Sequence, residues 1–242
     1  MGYREKLIAY AIKYDGDYFK ILKAINNNDE IIEINCDNCI TIFDDNYPSE
    51  LKDLKYPPFV LFYKGNLDLL NKEKIGIVGS RIPVDYSLKA TSYLVNNHMD
   101  KVIVSGLAKG IDAKAHEVAK YSIGVLGCGI DYIYPYDNLA LYIKLEKEGL
   151  IISEYPFKVK PLSYHFPFRN RIIAALSKTI YVMQSSEKSG TVTTINEALE
   201  LQKDIKILPF SIFEDAGQYN NKLINDGALI LEKNELKIDN WK

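Results

Sequence analysis

The stretch KIGIVGSRIPVDYSLKATSYLVNNH, residues 74–98, decides the fold. It opens on a short continuous apolar run, turns at Gly79-Ser80, and passes into a segment whose apolar residues recur three and four positions apart. A continuous apolar run reads as a strand buried on both faces, and the spacing after it reads as an amphipathic helix. The pattern then repeats. KVIVSG, SIGVLGCG, LIISEY, TIYVMQSS and IKILPF are short apolar runs, and most end in Gly, Ser or another small polar residue. Between them lie DAKAHEVAK, NLALYIKLEKEG, NRIIAALS and TTINEALELQK, all of helical texture. Buried strands alternating with helices predict an α/β protein: an extended, Rossmann-like, doubly wound and mostly parallel sheet.

Upstream, YREKLIAYAIKY and DYFKILKAIN read as two short helices broken at Asp15-Gly16-Asp17, and FVLFYKG (59–65) as one strand. The expected division is a small helical N-terminal segment, 1–45, and a Rossmann-like domain, 46–242. A chain of 242 residues with 47% hydrophobic and 26% charged residues can bury a full core. No apolar run reaches membrane-spanning length, and the first residues lack the apolar core of a signal peptide, so the expected location is the cytoplasm. Cys36, Cys39 and Cys128 with three scattered histidines offer no ligand set at recognisable spacing, so neither metal nor other cofactor is expected.

In open parallel sheets ligands sit beyond the C-terminal strand ends. The residues there are Gly79-Ser80-Arg81, Ser105-Gly106-Leu107-Ala108-Lys109-Gly110, Gly127-Cys128-Gly129, the segment 154–171, and Ser189-Gly190-Thr191. Glycine lets backbone N–H groups converge, a following helix N-terminus favours anions, and Arg81 and Lys109 add full charges. The dinucleotide pattern GxGxxG and the P-loop GxxxxGK[ST] are both absent. Several anion cradles in a row suit a chain of phosphates, as in single-stranded nucleic acid.

The net charge of −2 argues against a polycation that coats nucleic acid and leaves room for a local basic groove. Only four of the 30 basic residues are arginines: Arg4, Arg81, Arg169 and Arg171. Two of them stand in FPFRNRIIAALS beside Phe166 and Phe168, where aromatic faces would stack bases and guanidinium groups would grip phosphate. Pro167 would stiffen the loop between them. On the alternative reading, Phe168 is core, and an arginine braces the loop through a buried pair with Glu154.

IVGSR (77–81), VIVSGLAKGIDAKAH (102–116), GVLGCGIDYIYP (124–135), GLIISEY (149–155), HFPFRNRIIAALS (165–177) and SGTVTT (189–194) together resemble the DprA/Smf family of bacterial natural transformation. YPSELKDLKYPPFVLFYKG (47–65) resembles the segment that precedes that family's Rossmann domain. The resemblance implies a cytoplasmic, non-enzymatic homodimer that binds single-stranded DNA and hands it to the RecA recombinase. By the family pattern Arg81 contacts phosphate, the 105–112 loop wraps the strand and Phe166 packs on a base. Asn170 and residues 189–191 complete the expected site.

The departures are several. Ser163 stands where relatives often carry lysine, with Lys160 or His165 as substitutes. Pro209-Phe210 replaces Pro-Gly, and Gly217 is displaced from Asn221-Lys222-Leu223-Ile224. The winged-helix domain of many relatives has no room here.

A competing reading is a nucleotide-processing enzyme like the LOG-type phosphoribohydrolases. EKSGTVTT (187–194) resembles their PGGxGTxxE, with Thr193 or Thr194 where the catalytic glutamate belongs and Glu197 one turn on. A nucleotide-sensing module, which needs a closed pocket, is the third.

Overall fold

The computed structural model describes residues 2–236. The elements run α1 (Tyr3–Lys13), α2 (Tyr18–Asn27), β1 (Cys39–Thr41), β2 (Val60–Gly65), β3 (Lys74–Gly79), α3 (Asp85–Asn97), β4 (Val102–Ser105), α4 (Ile111–Val118), β5 (Ser122–Val125), α5 (Leu139–Glu148), β6 (Leu150–Ser153), α6 (His165–Leu176), β7 (Thr179–Gln184), α7 (Thr191–Glu200), β8 (Asp204–Ile207), α8 (Gln218–Asn225) and β9 (Leu229–Ile230). One nine-stranded sheet has the order β1-β2-β6-β5-β4-β3-β7-β8-β9. From β6 to β9 every pair is parallel, as the repeated apolar runs predict. The strand read at 59–65 is β2, and it runs antiparallel to β6. The sheet continues antiparallel into β1, which the mixed composition of 27–58 hid.

The strands are apolar on both sides, yet they still sort their residues by face. Val102 and Val104 of β4 join Ile180 and Val182 of β7 in the core under α6 and α7. Ile103, Tyr181 and Met183 point the other way, into a core with Ala90 and Leu94 of α3 and Ala115 of α4. On that second face Leu7 and Ile8 of α1 and Ile21 of α2 pack with Val60, Phe62 and Ile151. The N-terminal helices therefore share a core with the main sheet. The 45/46 boundary falls between two hydrogen-bonded strands, β1 and β2, so the two segments form one packed body.

Strand order places the site. β4, β5 and β6 lie to one side of β3, and β7, β8 and β9 to the other. The chain leaves β3 for α3 on one face and β7 for α7 on the opposite face. The two connections diverge and open a crevice at the C-terminal ends of β3 and β7, the place where such sheets bind ligands.

Among the described residues, no helix is long and apolar enough to cross a membrane.

Candidate nucleic-acid interface

The crevice is an open groove of about 630 Å³. Gly79, Ser80 and Arg81 line it from β3, and Ser189, Gly190 and Thr191 from β7. Ala108 lines it from the β4 loop, and Ser163, Phe166 and Asn170 from the α6 end.

The β3 and β4 loops lean on one another. Ile111 N–H donates to the Ser80 carbonyl at 3.1 Å. Gly110 has φ +76°, and a Cβ there would come within 2.8 Å of the Arg81 carbonyl, so only glycine fits. Arg81 is exposed, and its guanidinium lies over the Phe166 ring, 5.8 Å from the centroid. No carboxylate among the described residues pairs with Arg81. Phe166 is half-buried and fixed from behind: a Cβ on Gly127 would come within 2.9 Å of its ring. Gly127, Cys128 and Gly129 are all buried, Gly127 against Phe166 and Gly129 against the Pro156 carbonyl, so they form packing and not an open cradle.

The structure corrects several readings of α6. This helix starts at His165, so Phe166 to Arg169 are helical rather than a loop, and the helix read from Asn170 begins five residues earlier. Pro167 falls in the first turn, where its missing N–H breaks no helical hydrogen bond. Arg169 and Arg171 are both buried. The Arg169 guanidinium donates to the Gly106 carbonyl at 2.9 Å, to the Val125 carbonyl and to Asn170 Oδ1 at 3.0 Å. Arg171 makes a two-pronged pair with Glu154, donates to the carbonyls of Tyr56 and Phe168, and lies over the Phe168 ring. Both brace neighbouring segments, Arg171 through the Glu154 pair that the sequence left open as the alternative, and Arg169 also lines the groove. Phe168 packs with Tyr18, Phe19 and Tyr56, so its face serves the junction with α2.

The β4 loop is likewise built from within. Ser105 is buried and donates to the Ile77 carbonyl at 2.6 Å. Leu107 is core, and Gly106 is sealed: a Cβ there would come within 2.6 Å of the Arg169 guanidinium and 2.8 Å of the Asp112 carboxylate. Asp112 accepts from the N–H groups of Gly106 and Ala108, and Asn138 donates to the carbonyls of Leu107 and Ala108. Burial pushes the Asp112 carboxyl up, and the Arg169 charge opposes it. The side chains of Ser105 and Leu107 turn inward, so what this loop offers the groove is Ala108. Lys109 is exposed but paired with Asp137.

On the far wall, Asn170 is buried and donates to the Gly190 carbonyl at 3.1 Å, tying α6 to the β7 loop. The Ser189 hydroxyl donates to the Thr191 hydroxyl and accepts the Thr191 N–H, which shapes the turn into α7. Gly190 is exposed, whereas Thr191 is buried. Lys160 is exposed with no partner carboxylate among the described residues, and Ser163 is exposed on the groove. His165 is buried and stacks on Tyr155 at 4.0 Å, and burial pushes its pKa down, which disfavours the cationic form that a stand-in for the family's lysine would need. Thr194, at the position of the LOG-type glutamate, lines the groove and is buried, whereas Glu197 lies outside the groove lining.

Among the groove-lining residues that escaped the sequence reading is Tyr134, whose ring centroid lies 5.6 Å from that of Phe166. Its signal was an aromatic residue before a proline, in the loop after β5, inside the motif GVLGCGIDYIYP that the resemblance quotes without assigning Tyr134 a role.

The fold and groove define a Rossmann-like α/β protein with its site at the switch point of the sheet. Residues 38–242 match the family model of the DNA recombination-mediator protein A, and the chain belongs to that family. It is 42% identical over 198 residues to the DNA processing protein DprA of Bacillus subtilis (strain 168), covering 79% of this chain and 67% of that protein. It is 39% identical to the DprA of Streptococcus pneumoniae (strain ATCC BAA-255 / R6), covering 79% and 70%. The solved structure of DprA from Streptococcus pneumoniae superposes with a TM-score of 0.80 at 31% identity, over 98% of this chain and 96% of that one. DNA processing protein A from Helicobacter pylori, solved to describe its single-stranded DNA binding mode, superposes with a TM-score of 0.73 at 33% identity, over 84% and 91%.

Proposed function

We propose that this chain binds single-stranded DNA along the switch-point groove and delivers it to the RecA recombinase during DNA uptake and recombination, without catalysing a reaction. The observation that carries the reading is the pairing of exposed Arg81 with half-buried Phe166 at the floor of an open groove. A cation beside an aromatic face is what unpaired nucleotides need, with phosphate on one and a base on the other. The single-stranded DNA binding described for the Helicobacter pylori relative supports the same ligand. The delivery step rests on the family's description as a recombination mediator. In this reading Arg81, Lys160, Ser163 and the backbone at 79–80 and 189–190 hold phosphate, and Phe166 stacks a base.

The acting unit is a cytoplasmic homodimer. The exposed edge at β9, where Leu229 and Ile230 are 50% and 47% exposed, is a candidate contact. An isologous pairing there would extend the DNA tract across two grooves.

The test is a titration of labelled oligonucleotides of graded length beside mononucleotides, followed by a RecA filament assay on strands coated with a competing single-strand binder. Affinity that rises with length and exceeds that for any mononucleotide is expected. Tight binding of one mononucleotide with no gain from length would favour a nucleotide-binding module.

A further inference from the structure

Tyr134 is an aromatic residue left 42% exposed at the groove rim. A mobile rim tyrosine would need no explanation, but its backbone is held by a buried side chain. Tyr142 of α5 is 3% exposed. Its hydroxyl accepts the Tyr134 N–H at 3.2 Å and donates to the Tyr134 carbonyl at 2.9 Å. A single buried hydroxyl thus satisfies both backbone groups of Tyr134 and fixes where its ring emerges. The Tyr134 hydroxyl itself has no hydrogen-bond partner among the described residues.

The geometry against Phe166 limits what the pair can hold. The ring centroids are 5.6 Å apart and the planes are inclined by 38°. Sandwiching one base between two rings takes two stacking layers of about 3.4 Å each, so the gap is too small. Nor can one flat base lie parallel to both planes. Two faces that are adjacent, tilted and fixed suit two successive bases, one on each. Arg81, over the Phe166 ring, puts a cation within reach of the phosphate that joins them.

We infer that Tyr134 is a second stacking platform, which takes the base next to the one on Phe166. This rests on the reading of the groove as a single-stranded DNA site. It makes the stacking element a two-nucleotide step.

The test is an anisotropy titration of a short labelled oligothymidine with wild type, Tyr134→Ala, Tyr134→Phe and Phe166→Ala. A parallel titration uses a strand of the same length made only of abasic residues. Tyr134→Ala should weaken binding roughly five- to hundred-fold, the range for loss of one base–aromatic stack. Its salt dependence should match wild type, and Tyr134→Phe should stay within about two-fold, because the face is kept. On the abasic strand Tyr134→Ala should bind like wild type, because there is no base to lose. Tyr134→Leu keeps apolar bulk without the π face; it should show the same loss and stands in for the alanine variant if that does not fold. Tyr134→Ala binding like wild type while Phe166→Ala binds poorly would overturn the platform and spare the groove. If neither substitution weakens binding, the groove reading fails and the platform with it.

Discussion

The Arg171 guanidinium and the Glu154 carboxylate meet in two parallel contacts of 2.6 Å, with side chains only 3% and 6% exposed. The pair joins α6 to the segment after β6, and Arg171 reaches on to the Tyr56 carbonyl at 2.9 Å. It is the fastening beneath the groove wall.

Removing one partner strands the other charge in the interior. Arg171→Ala or Glu154→Gln should therefore cost about 3–5 kcal/mol of stability, seen as a marked fall in melting temperature. Replacing both by apolar residues of similar volume should cost less than either single change. The folded fraction of a single variant should keep the wild-type salt slope for DNA, because the buried Arg171 guanidinium is taken up by Glu154 and two backbone carbonyls. A shallower slope with normal stability would show that Arg171 reaches the ligand.

Arg81 is the opposite case: exposed, lining the groove, and with no carboxylate partner among the described residues. Arg81→Ala should leave thermal unfolding nearly unchanged and weaken DNA binding roughly tenfold or more, the worth of a charge-assisted contact. The slope of log affinity against log salt should become shallower by about one phosphate's share. Unchanged affinity and slope would make Arg81 a mere neighbour of Phe166.

Phe166→Ala should cost about 1–3 kcal/mol of affinity without altering the salt slope, because no charge is lost. The ring rests against Gly127 but faces the groove, so the loss of stability should be smaller than the 3–5 kcal/mol typical of a core phenylalanine. A large drop in melting temperature with near-normal binding would identify it as packing.

His116 is fully buried, neither ring nitrogen has a hydrogen-bond partner among the described residues, and burial pushes its pKa from 6.5 to about 3. The unfolded chain therefore binds a proton between these values and the folded chain does not. Stability from this group is complete above about pH 6.5 and is lost as pH falls toward 3. The slope should approach about 1.4 kcal/mol per pH unit in that window for this one site. His116→Asn should flatten the acid limb of denaturant midpoint against pH. An unaltered limb would show that another group controls it.

The sheet was legible because its physics is local. A run such as VIVS is buried on both faces wherever it sits, and the residue after it must lie at the strand end. That is why Arg81, Ala108 and Ser189-Gly190 could be placed on one edge before any coordinates. What failed was accessibility, which depends on distant partners. The sequence leaves open a pair between an arginine and Glu154, 17 positions before Arg171, but nothing near Arg171 decides for it over a ligand role. Nothing near Phe168 announces the ring cluster from Tyr18, Phe19 and Tyr56. Arg169 reads as a ligand arginine by type, yet it holds the Gly106 and Val125 carbonyls at the C-terminal ends of two neighbouring strands, β4 and β5. Tyr134 failed in the other direction. Its exposure is a property of a rim assembled from the β5 connection, α5 and α6, and of a clamp from Tyr142.

The most direct test compares three ligands under one salt condition: a single strand, a blunt duplex of the same length and sequence, and the matching mononucleotides. Bases can stack on Phe166 only when unpaired, and an open groove gains from each added nucleotide. The expected result is single strand far tighter than duplex, with mononucleotides weakest. Equal affinity for strand and duplex, or a mononucleotide as tight as the full strand, would contradict the assignment of the groove to single-stranded DNA.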